Sequence, residues 1–443
     1  MTSPPSSPSG SSAGASTGRN SARETVVAML ASPELARVLA LASIGTAVLA
    51  FALQRTIGIA GLLGVLTVLV VLAIAAFIAR RGMVDWQGIL PVSLLTFLGW
   101  AAISVVWSQY QWSTLGSLIY LGMFTVLGIV VALSRDTIQI VRSYGDVLRV
   151  VLAASIVLEI FAGVLIDAPI GFLGIDGNLD LFGPVQGLMG SRNEFGLLGV
   201  VGVVTFGTEL RTRSVPRILG IVSLALAGLS VALSRSPVVF GVFLIVAVAV
   251  GALYFLRRVR PDRRRFWQFS LLAVALIGAA IAWLARGRVV ELLNASGALS
   301  YRLDIWQRIE ALINLRPLEG WGWIGRWRAD VQPFIGLANP SGTVPSGALN
   351  AYLDVWFQLG LIGVVIFVGM LSLAFVRSWL LAGRQRSIVF AWPALVLVAL
   401  LTSALAESTL LTQWAWLTFV LCCVKAAREL SWRSALEKQR PER

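Results

Sequence analysis

Long apolar stretches recur along most of the chain and are separated by shorter polar connections. Most of them extend for about 20 residues, the length that an α-helix needs to cross the hydrocarbon core of a bilayer. The apolar windows predict helices near residues 36–53, 57–79, 88–107, 114–133, 147–165, 195–210, 217–233, 237–256, 267–285, 349–376, 388–405 and 409–425. The pattern therefore predicts an all-α integral membrane protein with about twelve transmembrane helices.

The helical windows define a polytopic transmembrane domain at residues 34–425, with a tail at each end. The tail at residues 1–33 begins with a stretch of Ser, Gly, Pro and Thr, a composition typical of disordered chain. The tail at residues 426–443 follows the last apolar window. We expect packed structure only between the two tails.

A long polar segment at residues 286–348 interrupts the series of apolar windows, and a loop of this length is usually functional. Within it, five apolar positions follow the stripe of one helix face: Ile305, Trp306, Ile309, Leu312 and Ile313. Ser300 is a candidate N-cap for this helix, and Pro317 is a candidate stop. We expect an amphipathic helix that lies near the membrane surface.

Glycine and tryptophan alternate directly after this predicted helix, from Gly320 to Trp327. Indole rings on flexible backbone suit either the headgroup belt of a membrane or stacking on sugars. Trp321 is the candidate substrate-binding residue in this run.

The composition supports a bilayer environment, because 57% of the residues are hydrophobic and only 13% are charged. The chain has no histidine, which excludes Ser-His-Asp triads, histidine-based zinc sites and imidazole acid-base chemistry. Proton transfer would therefore need carboxylates. No sequence motif for a nucleotide, a metal or another cofactor is present.

The net charge of +14 is spread between the apolar stretches rather than gathered on one face, which argues against nucleic-acid binding. Arginines concentrate in alternate connections, as the positive-inside rule requires of cytoplasmic loops. They are Arg80, Arg81, Arg135, Arg142, Arg211, Arg213, Arg217, Arg257, Arg258, Arg260, Arg263, Arg264, Arg265, Arg384 and Arg386. This predicts that both termini are cytoplasmic, and that residues 167–194 and the loop at 286–348 are extracytoplasmic.

Three arginines on the predicted outer side lie near helix ends: Arg192, Arg235 and Arg302. A guanidinium at this depth is costly unless it faces a polar cavity or a partner, and its fork suits a phosphate or diphosphate. Arg302 could instead form a cation-π pair with Trp306, one helical turn away. The alternative for all three is contact with membrane-lipid headgroups.

Six acids on the predicted outer side are candidates for a catalytic base: Glu194, Asp304, Glu310, Glu319, Asp354 and Glu407. Glu194 and Glu407 are the more suggestive, because each stands at the end of a short connection between membrane helices. The structural alternative for both is helix capping. Glu159 lies well inside a predicted helix, where we expect it to pair with a buried arginine.

An ordered set of motifs resembles the O-antigen ligase and O-antigen polymerase superfamily of membrane glycosyltransferases, over about residues 180–425. The motifs are GSRNEFGLLG at 190–199, LSRSP at 233–237, RLDIWQRIEALINLRPLEGWGWIG at 302–325, LNAYLDVWFQLGLIG at 349–363, and Glu407. One departure is notable, since ligases of this family commonly have histidine before Asn350, where this chain has Leu349.

The resemblance implies metal-independent, inverting transfer of a glycan from a polyprenyl diphosphate to a hydroxyl of a sugar or lipid-glycan acceptor. It implies an enzyme of surface-polysaccharide synthesis at the outer face of the bacterial cytoplasmic membrane. Glu194, Arg235, Arg302 and Glu407 would be catalytic, and Arg192, Asn193, Trp306, Trp321 and Asn350 would bind substrate.

Two other functions remain open from the residues alone. The chain could be a transporter or flippase for a lipid-linked or amphipathic substrate, although such proteins usually have broken helices in two repeats. It could also be a non-catalytic membrane partner in an envelope assembly complex, in which the arginines only anchor lipid headgroups.

Overall fold

The computed structural model describes residues 24–80, 91–179, 183–284, 296–338 and 344–429. Most of the predicted N-terminal tail and the last residues of the C-terminal tail lie outside these ranges. In order, the helices are α1 Glu24–Leu30, α2 Pro33–Val48, α3 Ala50–Ala79, α4 Val92–Ile103, α5 Gln111–Ser134, α6 Thr137–Ile160, α7 Arg192–Thr212, α8 Arg217–Leu233, α9 Pro237–Arg258, α10 Pro261–Leu284, α11 Ser296–Ile313, α12 Ala351–Arg384, α13 Ala391–Ser403 and α14 Gln413–Glu429. The described residues form no named strand, which confirms the all-α class.

Six of these helices are long and apolar enough to cross a membrane, namely α3, α5, α6 with its continuation to Ile166, α7, α9 and α12. The bent pair α1 and α2 could form a seventh span, and α4, α8 and α13 are shorter apolar helices. Each predicted window overlaps a helix of the structure. The number of twelve crossings stays a prediction.

Two of the differences between the predicted and observed helix boundaries have a local cause. The connection expected at residues 54–56 is helical, and the break lies at Gly58, whose φ of 72° favours glycine. Helix α6 begins at Thr137, ahead of the predicted start, because Asp136 and Gln139 form a capping box. The predicted window at 147–165 did not include the polar first turns of α6. Arg142 therefore lies inside this helix rather than in a connection.

The centre of the bundle consists of α7, α13 and α14, which are buried along most of their length. Helix α7 packs against α8, and α14 packs against α5. Helices α3 and α9 instead expose apolar side chains such as Val68, Val71, Leu244 and Val248. An apolar exterior around a buried helical centre is what a bilayer requires of a helical bundle.

The segment between α10 and α12 has an apolar core of its own, to which α11 contributes Ile305, Ile309 and Ile313. Helix α11 begins at Ser296 rather than at Ser300. Ser300 is not a cap, because its hydroxyl donates to the carbonyl of Gly297 within the helix. The apolar face of α11 packs on Ile324, Trp327, Val331, Phe334, Leu337, Ala348 and Phe357 rather than standing free.

Candidate functional site

Glu407 lies in the connection between α13 and α14, where it meets Arg302 from α11 and Asn193 from α7. The Nη2 of Arg302 donates to Oε1 of Glu407 at 2.9 Å and also to the carbonyl oxygen of Ala406 at 3.3 Å. The side-chain amide of Asn193 donates to the same Oε1. Both charged side chains are largely buried, with 14% of Arg302 and 11% of Glu407 exposed. A buried pair of this kind depends on its geometry, since each charge is costly without its partner.

Asn193 is itself fixed by Ser236, the N-cap residue of α9. The Ser236 hydroxyl donates to Oδ1 of Asn193 at 2.6 Å and accepts from the backbone N–H of Val239 at 3.2 Å. The starts of α7 and α9 are thereby tied to each other and, through Asn193, to Glu407. This arrangement holds the carboxylate in one orientation.

These side chains line a cavity of about 280 Å³. Among its lining residues are Asn193, Glu194, Tyr301, Arg302, Arg326, Leu349, Glu407 and Gln413. The Nε of Arg302 is buried and has no hydrogen-bond partner among the described residues. An unpaired buried donor is unfavourable, so this N–H lacks the partner that a folded protein usually provides.

The carboxylates and arginines of this cavity interact electrostatically. Burial raises the pKa of Glu407, while the positive charge of Arg302 and the Asn193 hydrogen bond oppose that rise. The Oε2 atom of Glu407 makes no hydrogen bond with any described residue. A raised pKa and a free oxygen suit a group that accepts a proton from a ligand.

A larger cavity of about 690 Å³ adjoins the first one. The two share Phe51, Gly325, Arg326, Thr412 and Gln413 in their linings. Arg326 is exposed, interacts electrostatically with Glu194, and makes no hydrogen bond or salt bridge with another described residue. Its guanidinium therefore stands at the boundary between the two cavities.

The Gly-Trp segment that carries Arg326 is held by two buried polar residues of α12, Asp354 and Gln358. The indole N–H of Trp327 donates to Oδ1 of Asp354 at 2.8 Å, and the amide of Gln358 donates to the same oxygen at 2.7 Å. The Oε1 of Gln358 accepts the backbone N–H groups of Ile324 and Gly325, each at 2.8 Å. This network fixes the backbone on both sides of Arg326.

Glycine is required at Gly320 and Gly322 of the same segment, since both have positive φ, 70° and 105°. A Cβ on Gly320 would lie 2.5 Å from the backbone nitrogen of Gly360, and one on Gly322 would lie 2.6 Å from Cβ of Ser108. Because neither glycine has a side chain, the segment can pack closely against α12 at Gly320 and against Ser108 at Gly322.

Arg192 and Arg235 do not line the cavity that contains Arg302. Both side chains are exposed, and neither lines either cavity. Arg235 lies between two fully buried serines in a turn, with a φ of 45°. Because Ser234 and Ser236 face inward, the residue between them faces outward. The predicted catalytic role of Arg235 and the binding role of Arg192 stay predictions.

Three other predicted binding residues make structural contacts instead of lining the smaller cavity. The indole N–H of Trp306 donates to the carbonyl of Ala348 at 2.8 Å, and that of Trp321 donates to the carbonyl of Leu312 at 3.1 Å. Asn350 caps α12, accepting from the N–H groups of Tyr352 and Leu353. Their roles in substrate binding also stay predictions.

Among the described residues Glu159 forms no ion pair with an arginine, contrary to the expected pairing. Its Oε1 accepts the backbone N–H groups of Gln186 and Gly187, at 3.2 and 3.0 Å. Ser155, one turn earlier, accepts from Leu188 at 3.2 Å. The buried acid thus satisfies backbone donors and fixes the segment that leads into Asn193.

Sequence reasoning missed Arg326, Gln358 and Ser236 as parts of this site, and it named Asp354 only as one of several acidic candidates. Nothing near Arg326 in the sequence shows that two cavities meet there. Asp354 and Gln358 did carry a signal, since both are polar residues in the first turns of an apolar helix. Ser236 precedes Pro237 at a helix start, a pattern typical of an N-cap.

Residues 220–368 match a protein family described as "Wzy_C: O-Antigen ligase". The match includes the LSRSP turn, the Arg302–Gly325 motif and the stretch after Leu349, whereas Asn193 and Glu407 lie outside it. No curated protein matches the chain significantly. The match confirms the resemblance to the O-antigen ligase and polymerase superfamily of membrane glycosyltransferases. Leu349, at the position where ligases of this family commonly have histidine, lines the smaller cavity.

Proposed function

We propose that this chain, a member of the O-antigen ligase and polymerase superfamily by the match over residues 220–368, transfers a glycan from a polyprenyl diphosphate to an acceptor hydroxyl. The observation that carries the proposal is the junction of Arg302, Asn193 and Glu407 in one cavity. In such a transfer the guanidinium can stabilise the departing diphosphate, and the carboxylate can accept the proton that the acceptor hydroxyl releases.

In the proposed reaction the acceptor oxygen attacks the anomeric carbon, and the bond from that carbon to the diphosphate oxygen breaks. The acceptor proton passes to Oε2 of Glu407, which is free of protein partners among the described residues. Direct displacement by the acceptor inverts the anomeric configuration. The protonated carboxyl is then reset by loss of its proton to water.

Negative charge develops on the diphosphate as it leaves, and the unpaired buried Nε–H of Arg302 supports a role for this guanidinium in receiving it. Arg326 adds a second positive charge at the edge of the same cavity. Preorganised cations in a water-poor site stabilise such charge without a metal ion. We therefore propose a metal-independent, inverting glycosyltransferase.

The proposed location is the outer face of the bacterial cytoplasmic membrane, with both termini in the cytoplasm. The distribution of basic residues supports this orientation, because the arginine-rich connections lie at the opposite ends of the helices from the two cavities. The donor is then a glycan carried on a polyprenyl diphosphate, and the acceptor is a glycan or lipid-glycan. The family match gives no support to a transporter or flippase.

The test is complementation of a strain that lacks the gene, with the lipid-linked and surface glycans sized separately. Glu407→Gln and Arg302→Lys should each lower transfer by about 10²-fold or more, since the first removes a general base and the second a guanidinium fork. Accumulated single units would identify a polymerase, and long chains stranded on the carrier would identify a ligase.

Matched controls come from the exposed pair Asp304 and Arg308 on the same helix α11. Asp304→Asn and Arg308→Lys should leave transfer unchanged at equal membrane levels of protein. Wild-type glycan profiles in the Glu407→Gln strain would refute the proposed base, and unaltered glycans in the deletion strain would refute the function.

A further inference from the structure

The two adjoining cavities differ in their charged side chains, because among the described residues only the smaller one is lined by carboxylates as well as arginines. The smaller cavity contains both carboxylates of the site, Glu194 and Glu407, beside its arginines. Among the described residues that line the larger cavity there is no aspartate or glutamate, but there are three arginines, Arg55, Arg326 and Arg328. The charged side chains that line the larger cavity are therefore all basic.

Two of these arginines form no salt bridge with a carboxylate in the described part of the chain, although Arg326 interacts electrostatically with Glu194. Arg55 makes a ring contact, with its guanidinium carbon 5.9 Å from the centre of the Phe51 ring, and Arg326 makes no polar side-chain contact. Arg328 differs, because Asp330 accepts from it at 2.6 and 3.0 Å. Arg55 and Arg326 are thus the guanidinium groups available to a ligand.

Aromatic side chains supply the rest of the larger cavity. Trp112 is 86% exposed although it lines the cavity, and Tyr120, Phe124 and Trp323 lie deeper. An exposed indole offers a flat apolar face of the kind that stacks on sugar rings. Neutral polar side chains of the lining, such as Gln54, Ser113 and Gln413, can bind sugar hydroxyl groups, and the arginines can bind an anionic substituent.

On these grounds, and resting on the proposed function, we infer that the larger cavity binds an acidic sugar of the glycan, with Trp112 stacking on the ring. Arg55 and Arg326 would bind its anionic group. The ligand class is a sugar that carries a carboxylate or an acidic substituent. Because Arg326 also lines the smaller cavity, the acidic sugar would lie directly beside the reacting bond.

Binding to the purified full-length protein in lipid nanodiscs tests this inference. The probe is an oligosaccharide of alternating glucuronic acid and N-acetylglucosamine, and its matched control is the same oligosaccharide with the carboxyl groups reduced to alcohols. The acidic form should bind about tenfold or more tightly, as expected when a charge-assisted hydrogen bond is added. Its affinity should fall with rising salt.

The double variant Arg55→Gln/Arg326→Gln should lose this preference, so that both oligosaccharides bind alike. Arg308→Gln is the control, because Arg308 lies outside both cavities and pairs with Asp304 on an exposed helix face. Equal affinity of the two oligosaccharides for the wild-type protein would overturn the inference. An unchanged preference in the double variant would also overturn it.

The diphosphate of the lipid donor is a second anion that could bind Arg55 and Arg326. Farnesyl diphosphate, used as a probe, distinguishes binding of a diphosphate from binding of an acidic sugar. Its affinity should fall in Arg302→Gln and stay within about twofold of wild type in Arg55→Gln. The reverse result would assign the larger cavity to the lipid headgroup and overturn the inference. If transfer fails in Glu407→Gln but binding shows no acidic preference, only this inference fails, and the proposed function stands.

Discussion

Arg302 and Glu407 are 105 positions apart in the sequence, yet Nη2 of the arginine lies 2.9 Å from Oε1 of the glutamate. Helix α11 contributes the first residue, and the connection between α13 and α14 contributes the second. The pair therefore links the segment between α10 and α12 to the buried centre of the bundle. Each residue holds the other in the orientation that the proposed chemistry requires.

The first prediction concerns the energetic coupling of this pair. Arg302→Gln leaves the Glu407 carboxylate buried without its cation, so we expect a loss of about 3 kcal/mol of stability at most. The double variant Arg302→Gln/Glu407→Gln should lose less than the sum of the two single variants. Thermal unfolding of the four purified proteins in the same detergent measures this coupling. Additive losses would show that the two side chains do not stabilise each other.

The second prediction is a pH dependence that follows from the raised pKa of Glu407. A base must be deprotonated, so transfer should rise with pH through a pKa above the ordinary value of 4.5. The positive charge of Arg302 lowers the pKa of Glu407. Arg302→Gln removes this charge, so the rise of the transfer rate should move to still higher pH. The measurement is the initial rate of transfer against pH in membranes of both proteins.

The same shift has the opposite sign for stability. A raised pKa means that the folded protein binds this proton more tightly than the unfolded chain does. The contribution of Glu407 to stability is therefore present at low pH and is lost as pH rises through the raised value. Glu407→Gln should remove this contribution from the pH dependence of thermal unfolding. If the transfer rate rises over the same pH range in wild type and in Arg302→Gln, the assignment of Glu407 as the base is contradicted.

The third prediction tests the network that positions Arg326. Asp354→Asn replaces a buried carboxylate that accepts from Trp327 and Gln358. We expect the segment at residues 320–327 to exchange its amide hydrogens faster, and transfer to fall by about tenfold, since hydrogen bonds to charged groups contribute about 1.5–3 kcal/mol. Asp304→Asn, at an exposed position, is the control. Unchanged exchange in Asp354→Asn would show that other contacts fix the segment.

The fourth prediction concerns the glycine at position 322. Gly322→Ala should destabilise the protein by about 1–3 kcal/mol, because the φ of 105° is unfavourable for alanine and its Cβ would meet Ser108 at 2.6 Å. Gly336→Ala is a matched control in the same loop, since a Cβ there has nothing within 4 Å. Thermal unfolding compares the two variants. Equal stability would mean that the segment can shift without cost.

The amino-acid pattern alone predicts the helical class, the membrane environment, the approximate position of each helix and the resemblance to the O-antigen ligase family. These properties follow from local pattern, because an apolar run of sufficient length has few stable alternatives to a helix in a bilayer. Position 407 was also recognisable, since a carboxylate beside membrane helices is costly without a role. Sequence motifs likewise pointed to Arg302 and Asn193.

Which of these residues meet depends on how the helices pack in three dimensions. The tertiary structure brought Arg302 to Glu407 while leaving Arg192 and Arg235 on the exposed side of their helix starts. It gave Glu159 backbone donors instead of an arginine, and it set Arg326 between two cavities. The physical reason is that the direction of a side chain depends on how helices distant in sequence pack. No local pattern of apolar and polar positions encodes that packing.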